Sequence, residues 1–298
     1  MKIINSHVHL IDLMGMVNKY PDLKLADGIS VMGDLSRLLP LLNEEEVIRQ
    51  MDEAGIEKTV LFAVEAPMVY CSNEMVAGLC QKYPDRFIGF ASVDPKEKDA
   101  AEVLEKAVTE LGLKGLKLHP PLQNFYPNDE AVFSVYEKAQ ELGIPVVFHV
   151  GTTPFGAMCR LDQANPLLLD EVAVKFPDLK IVLTHLGTLW QNEAFMVVEK
   201  NPNVYIDTAA YPYELKEILN ENMIKRIGEN KIIFGTDYPM SFTGEIHTMK
   251  TFVELIKDLE ISDELKEKIF ATNFTDMMEK KCQSSYVTLA EMATKMMK

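Results

Sequence analysis

Six histidines are spread over 298 residues, and two of them, His7 and His9, stand one residue apart in the stretch INSHVHLID near the start of the chain. On an extended strand, residues i and i+2 share a face, so both imidazoles project the same way. That geometry offers two ligands to one cation, although an HxH pair also arises as ordinary strand sequence. His119, His149 and His185 each close a β-rich run (LKGLKLH, IPVVFHV, LKIVLTH), and Asp237 closes another within FGTDYP. Only His247 lies away from such an end. One strand-end histidine is as readily satisfied by a backbone carbonyl as by a ligand, but five of the six at strand ends point to a shared site. Neutral imidazoles with one carboxylate suit a borderline divalent cation, zinc first, with manganese, iron or nickel as alternatives. Such an ion activates a bound water or polarises a substrate oxygen.

The elements that must position these residues are read from the same runs. KIINSHVHL, KTVLFAV, RFIGFASV, LKGLKLH, IPVVFHV, LKIVLTH, NVYIDTA and KIIFGTD are dense in Val, Ile and Phe with little alternation, as strands covered on both faces require. Between them lie helical stretches at about 44–54, 73–83, 99–111, 129–142, 166–176, 188–200, 214–228 and 245–259. Three should stop at Gly55, Gly112 and Gly143, where glycine can take the left-handed conformation, and three at the prolines of KYPDRF, KFPDLK and KNPNVY. Alternating strands and helices predict an α/β fold, a single (β/α)8 TIM-type barrel, in which every strand C-terminus opens on one face. Residues 11–43 make an extended first βα loop, far beyond the usual length and fit to cover the barrel mouth. A helical extension at 263–278 follows the last unit, so the barrel domain spans 1–280 and a helical tail 281–298.

Composition sets the surroundings. Thirty Lys plus Arg against forty-five Asp plus Glu give a net charge of −15, which argues against nucleic acid and anionic membrane surfaces. Cys71, Cys80, Cys159 and Cys282 show no CxxC spacing, so a reducing cytoplasm is expected. Asn5, His7, His9 and Asp12 interrupt any signal-peptide core, and no run approaches the roughly 18 apolar residues of a membrane span. The partner expected is a small-molecule substrate, with homo-oligomerisation left open. GxGxxG, GxxxxGK, GxSxG and HExxH are all absent, which removes the dinucleotide, P-loop, serine-hydrolase and zincin readings.

HxH on strand one, histidines on strands five and six and an aspartate on strand eight resemble the signature of the amidohydrolase superfamily. GLKLHP, HVG, THLG and GTDYP look like its amidohydrolase-2 branch, which includes aminocarboxymuconate semialdehyde decarboxylase. The resemblance covers residues 3–273. It implies that His7, His9, His149 and Asp237 bind one metal ion, that His185 orients or deprotonates the metal-bound water or polarises the substrate, and that Asp237 also shuttles a proton. In two-metal members a strand-four lysine is carboxylated and bridges the ions. Lys117 stands on that strand with His119 as its i+2 neighbour, but this branch usually holds a single ion, which leaves Lys117 the alternative of an ammonium paired with Asp237 or with a substrate carboxylate. Arg160 could grip a substrate carboxylate and Trp190 could line the pocket, though a loop arginine is commonly solvated and a tryptophan at a helix start is ordinary core.

These residues serve a metal-dependent hydrolase, with activated water attacking an amide, ester or lactone. They serve equally a nonoxidative decarboxylase (carboxy-lyase) of an unsaturated or aromatic acid, and a third reading is a noncatalytic metal- or ligand-binding barrel. Decarboxylation asks for fixed positive charge beyond the metal, for which only Arg160 and Lys117 offer themselves, so hydrolysis is the expectation.

Overall fold

A computed structural model describes residues 1–23, 35–242 and 245–280. Eight parallel strands form the barrel: β1 (Ile4–His9), β2 (Lys58–Phe62), β3 (Phe87–Phe90), β4 (Leu116–Leu118), β5 (Val146–Phe148), β6 (Ile181–Leu183), β7 (Val204–Asp207) and β8 (Ile232–Ile233). Their ladders run β1-β2-β3 and β4-β5-β6-β7-β8. Two thin seams join the arcs into a closed ring. Ala91 bridges to Leu116, and beyond the end of β8 His9 N donates to Tyr238 O at 2.9 Å and Ser6 N to Phe234 O at 2.8 Å.

The helix stops behave as their residue types dictate. Gly55, Gly112 and Gly143 take φ of 70°, 75° and 69°, values that side chains resist. Tyr83, Phe176 and Asn201 end their helices immediately before proline, which disfavours helical backbone in the residue ahead of it. The helix Glu44–Ala54 shows how one crossover is specified. Asn43 accepts from Glu46 N at 2.9 Å, three glutamates occupy the first turn, and Val47, Met51 and Ala54 fall on the buried face.

Two expected helices differ. The stretch 214–228 is broken into Pro212–Ile218 and Glu221–Ile227, because Asn220 caps the second piece by accepting from Met223 N. The stretch 245–259 is helical only over Met249–Lys257; Glu245–His247 instead pairs antiparallel with Met240–Phe242 as a hairpin, so His247 sits on a strand outside the barrel.

Inside the barrel the lower layer is apolar, with Ile4, Val60, Phe90, Val147, Val182 and Ile233 in one cluster. The C-terminal extension, Asp263–Glu267 and Asn273–Glu279 around a π-helical turn at Lys268–Thr272, adds Phe274 and Met277 to that cluster and so closes the barrel's base. Phe274→Ala should cost about 3–5 kcal/mol in denaturant unfolding, as loss of an aromatic ring from a packed interior does. A cost within surface-substitution range would remove the extension from the core. The expected tail 281–298 and Cys282 lie outside the described residues; Cys71, Cys80 and Cys159 are free. Among the described residues no helix is long and apolar enough to cross a membrane.

Candidate metal centre and cavity

The register of β1 against β2 shifts between Asn5 and Val8. This bulge lets consecutive residues point inward: Ser6 lines a small void in the lower layer, while His7 reaches Asp207. His9, two residues on, shares the side of His7, and their Nε2 atoms lie 3.1 Å apart. Asp237 Oδ1 completes the group at 3.1 Å from His7 Nε2 and 3.4 Å from His9 Nε2. Across the mouth, His185 Nε2 lies 3.0 Å from His149 Nδ1, and the His149 ring stacks on His119 with centroids 4.0 Å apart.

The protonation of these rings follows from their outer partners. An ionised carboxylate only accepts, so His7 Nδ1 donates to Asp207 Oδ2 at 2.7 Å, while its Nε2 faces the Asp237 carboxylate at 3.1 Å. His185 Nδ1 donates to Ala209 O at 2.9 Å and His149 Nε2 to Thr152 O at 3.1 Å, so as neutral rings they set two lone pairs against each other. His9 Nδ1 and Lys117 Nζ are buried without a hydrogen-bond partner. Lone pairs and a carboxylate converging in this way are the environment a divalent cation satisfies.

The electrostatics agree. Burial, reinforced by neighbouring imidazoles and Lys117, holds His119 and His149 well below the ordinary histidine range. Burial does the same for His9 against the opposing pull of Asp237, and lowers His185 to about 4. All four are therefore neutral ligands or bases at neutral pH. For His7, burial and Lys117 push downward, but Asp207 and Asp237 outweigh them and its pKa is raised. Burial disfavours the Asp237 carboxylate, yet His7 and His185 overcome this and hold it ionised, well below the usual range. Burial brings Lys117 down to about 8, opposed by Asp207 and Asp237.

The backbone is strained where the site is built. His185, Leu186 and Asp237 have φ of 61°, 49° and 51°, a region non-glycine residues rarely enter and one that gathers at functional sites. Gly187, at φ 73°, is required in THLG because an added Cβ would fall 2.4 Å from that of Ala194.

A cavity of about 310 Å³ opens above these groups. His9, His119, His149, His185 and Asp237, with Thr152, Thr188 and Tyr211, form its polar lining; Ile11, Leu13, Met16, Leu38 and Leu42, all from the long first βα segment, supply much of the rest. Residues 24–34 of that segment lie outside the described residues. Four sequence candidates do not line it: His7, which is fully buried at the site itself, and three others. Arg160 has a 65% exposed side chain paired with Asp162 at 2.8 Å, since its short 3-10 turn faces solvent. Trp190 caps the helix Gln191–Lys200 outside the cavity. Lys117 is wholly buried beneath it, 5.0 Å from the Phe62 ring centroid, with no carboxylate in hydrogen-bonding reach.

Sequence alone does not single out Asp207, although it ends a strand within NVYIDTA as Asp237 ends its own. Its Oδ2 accepts from His7 while Oδ1 accepts from His185 N at 2.7 Å and Ala209 N at 3.1 Å, tying β1 to the loops after β6 and β7. Asp207→Asn removes the charge that fixes the His7 tautomer and should weaken metal affinity about 10–100-fold. Competition with a chromogenic chelator measures this, and an affinity within about twofold of the parent's would assign Asp207 to scaffolding alone.

The sequence profile of the Amidohydrolase family (Amidohydro_2) matches residues 4–275. The gamma-resorcylate decarboxylase of Rhodococcus jostii (strain RHA1) is 26% identical over 266 residues, covering 67% of this chain and 78% of that protein. Among solved structures, an uncharacterised TIM-barrel protein from Bordetella bronchiseptica superposes with a TM-score of 0.73 at 22% identity, covering 93% and 98% of the two chains. A dihydroxybenzoic acid decarboxylase from Polaromonas sp. JS666, with bound manganese and the inhibitor 2-nitroresorcinol, has a TM-score of 0.68 at 20% identity over 93% and 96%. The likeness to these two structures bears out the barrel fold.

The comparisons with curated relatives overturn the expectation of hydrolysis and set aside the noncatalytic barrel, because the Rhodococcus protein and a Dictyostelium discoideum relative 24% identical to this chain are both decarboxylases. The case for hydrolysis rested on decarboxylation needing Arg160 or Lys117 against the substrate. Neither residue lines the cavity, so neither supplies charge to a molecule bound there.

Proposed function

The chain belongs to the Amidohydrolase family, and from that premise and the cavity's geometry we propose that it is a metal-dependent, nonoxidative decarboxylase of an aromatic or unsaturated acid. The observation that carries the reading is the set of neutral imidazoles and one ionised carboxylate at the floor of a largely apolar cavity, in a chain similar along most of its length to a decarboxylase. His7, His9, His149 and Asp237 would hold one divalent ion. Manganese, held by the Polaromonas decarboxylase, is the first to test, ahead of zinc. When bound, the ion supplies positive charge to a substrate carboxylate and its neighbouring hydroxyl, which accounts for the dispensability of a cavity arginine. The reading takes a single ion and needs no carboxylated Lys117, which does not line the cavity.

The chain's own groups move the proton. His185, neutral and fixed through Nδ1 on Ala209 O, presents Nε2 as the base that takes the proton from the substrate hydroxyl. The Asp237 carboxylate stabilises the imidazolium so formed, and the pair returns the proton to the carbon that bears the carboxylate. The bond to that carboxylate then breaks, its electron pair restores the ring, and carbon dioxide leaves. Apolar walls keep water from the reacting carbon. Incubation of manganese-loaded enzyme with hydroxybenzoates, following carbon dioxide and phenol together, tests the proposal; hydrolysis of lactones or amides with no carbon dioxide from any acid would refute it.

A further inference from the structure

Beyond its floor the cavity has an apolar side, apart from the hydroxyl-bearing Thr152, Thr188 and Tyr211 that also line it. Leu13, Met16, Leu38 and Leu42 come from the first βα segment, Met68 from the loop after β2 and Phe155 from the loop after β5. Met16, Leu38, Met68 and Phe155 are buried, whereas Leu13 is exposed and Leu42 half-buried, so the wall is dry at its depth and opens toward Leu13. No lysine or arginine stands among the described residues that line the cavity; Lys19 pairs with Glu65 at 2.6 Å and Arg160 with Asp162 at 2.8 Å. The cavity measures about 310 Å³. A void of about 150 Å³ is enough to enclose a benzene molecule in a protein interior, so there is room here beside a single ring.

We propose that the acid taken by this site is a hydroxybenzoate-type monocarboxylate whose ring carries an alkyl substituent against the Leu42–Met68–Phe155 wall, in place of a second anionic group. The inference rests on the decarboxylase reading and adds the substituent to it. One carboxylate and its hydroxyl occupy the polar floor. A second carboxylate would meet methyl and aromatic groups and lose its hydration without a partner, whereas an alkyl group there is removed from water to its advantage.

The test separates binding from chemistry. Calorimetry on the manganese-loaded protein with phenol, methyl-, ethyl- and propylphenols should show affinity rising about three- to fourfold per methylene, with an increasingly negative heat-capacity change. Among hydroxybenzoates, which set one carboxylate on the floor, one carrying a second ring carboxylate at the alkyl position should bind at least about 100-fold more weakly than its propyl counterpart. Alkyl-substituted hydroxybenzoates should likewise release carbon dioxide faster than the corresponding dicarboxylic acids. Leu42→Arg, at a half-buried wall position and checked for folding by circular dichroism, should reverse the order for the propyl-substituted and dicarboxylic acids. Affinity that is flat or falls with alkyl length, a dicarboxylic acid bound as well as the propyl-substituted hydroxybenzoate, or an order untouched by Leu42→Arg overturns the inference. If the phenols bind in the expected order while no acid releases carbon dioxide, the wall's preference stands and the decarboxylase reading alone fails.

Discussion

His185→Asn is expected to leave the metal in place and to reduce carbon dioxide release by roughly 10²–10⁴-fold, the loss that follows removal of a general base. The residue is held at three points: its backbone N on Asp207, its Nδ1 on Ala209 O and its left-handed φ of 61°. Asparagine tolerates that φ and can keep the backbone contact, so the barrel should fold unchanged. It cannot take up a proton at the position of Nε2. Metal content by mass spectrometry and single-turnover kinetics separate the outcomes. Loss of metal together with activity would make His185 a ligand, with His149 Nδ1, 3.0 Å away, as the group that acts on substrate.

His9→Ala has the other large effect. His9 Nε2 faces both His7 Nε2 and Asp237 Oδ1, and its Nδ1 has no hydrogen-bond partner, so no hydrogen bond of the fold outside the site depends on the ring. The variant should fold with near-parental stability when metal-free and lose most of its metal. Stoichiometry after dialysis against a weak chelator reports this; one equivalent retained at parental affinity would take His9 out of the ligand set.

The barrel is legible in the sequence because its signals are local. Glycines at helix stops, prolines just beyond them and β-branched runs act within a few residues, and most strand ends that build the site carry their own histidine or aspartate. The hairpin at Met240–Phe242 and Glu245–His247 is hidden, because alternation over so short a stretch cannot be told from the amphipathic helix that follows it. Arg160 and Trp190 mislead for a different reason. Both lie in connections, where sequence position fixes the Cα neighbourhood but not the side-chain direction, and here one turns to solvent and the other caps a helix. Asp207 escapes a sequence reading because its partners, His7 and His185 N, are 200 and 22 residues away. Only the assembled ring brings them to a single carboxylate.

The seam between β8 and β1 has a consequence for the life of the polypeptide. Few backbone hydrogen bonds close the ring there, and the side chains facing across it are His7 and His9 on one edge and Asp237 on the other. An ion held by those three residues is a clasp between the two ends of the barrel sequence, which the ribosome makes first and last. Resistance to unfolding is then a function of free metal, growing with the logarithm of its concentration over the dissociation constant. In metal-starved cells the first amides to exchange with solvent would be those of β1 and the Phe234–Tyr238 segment, and turnover by proteases would start from that edge.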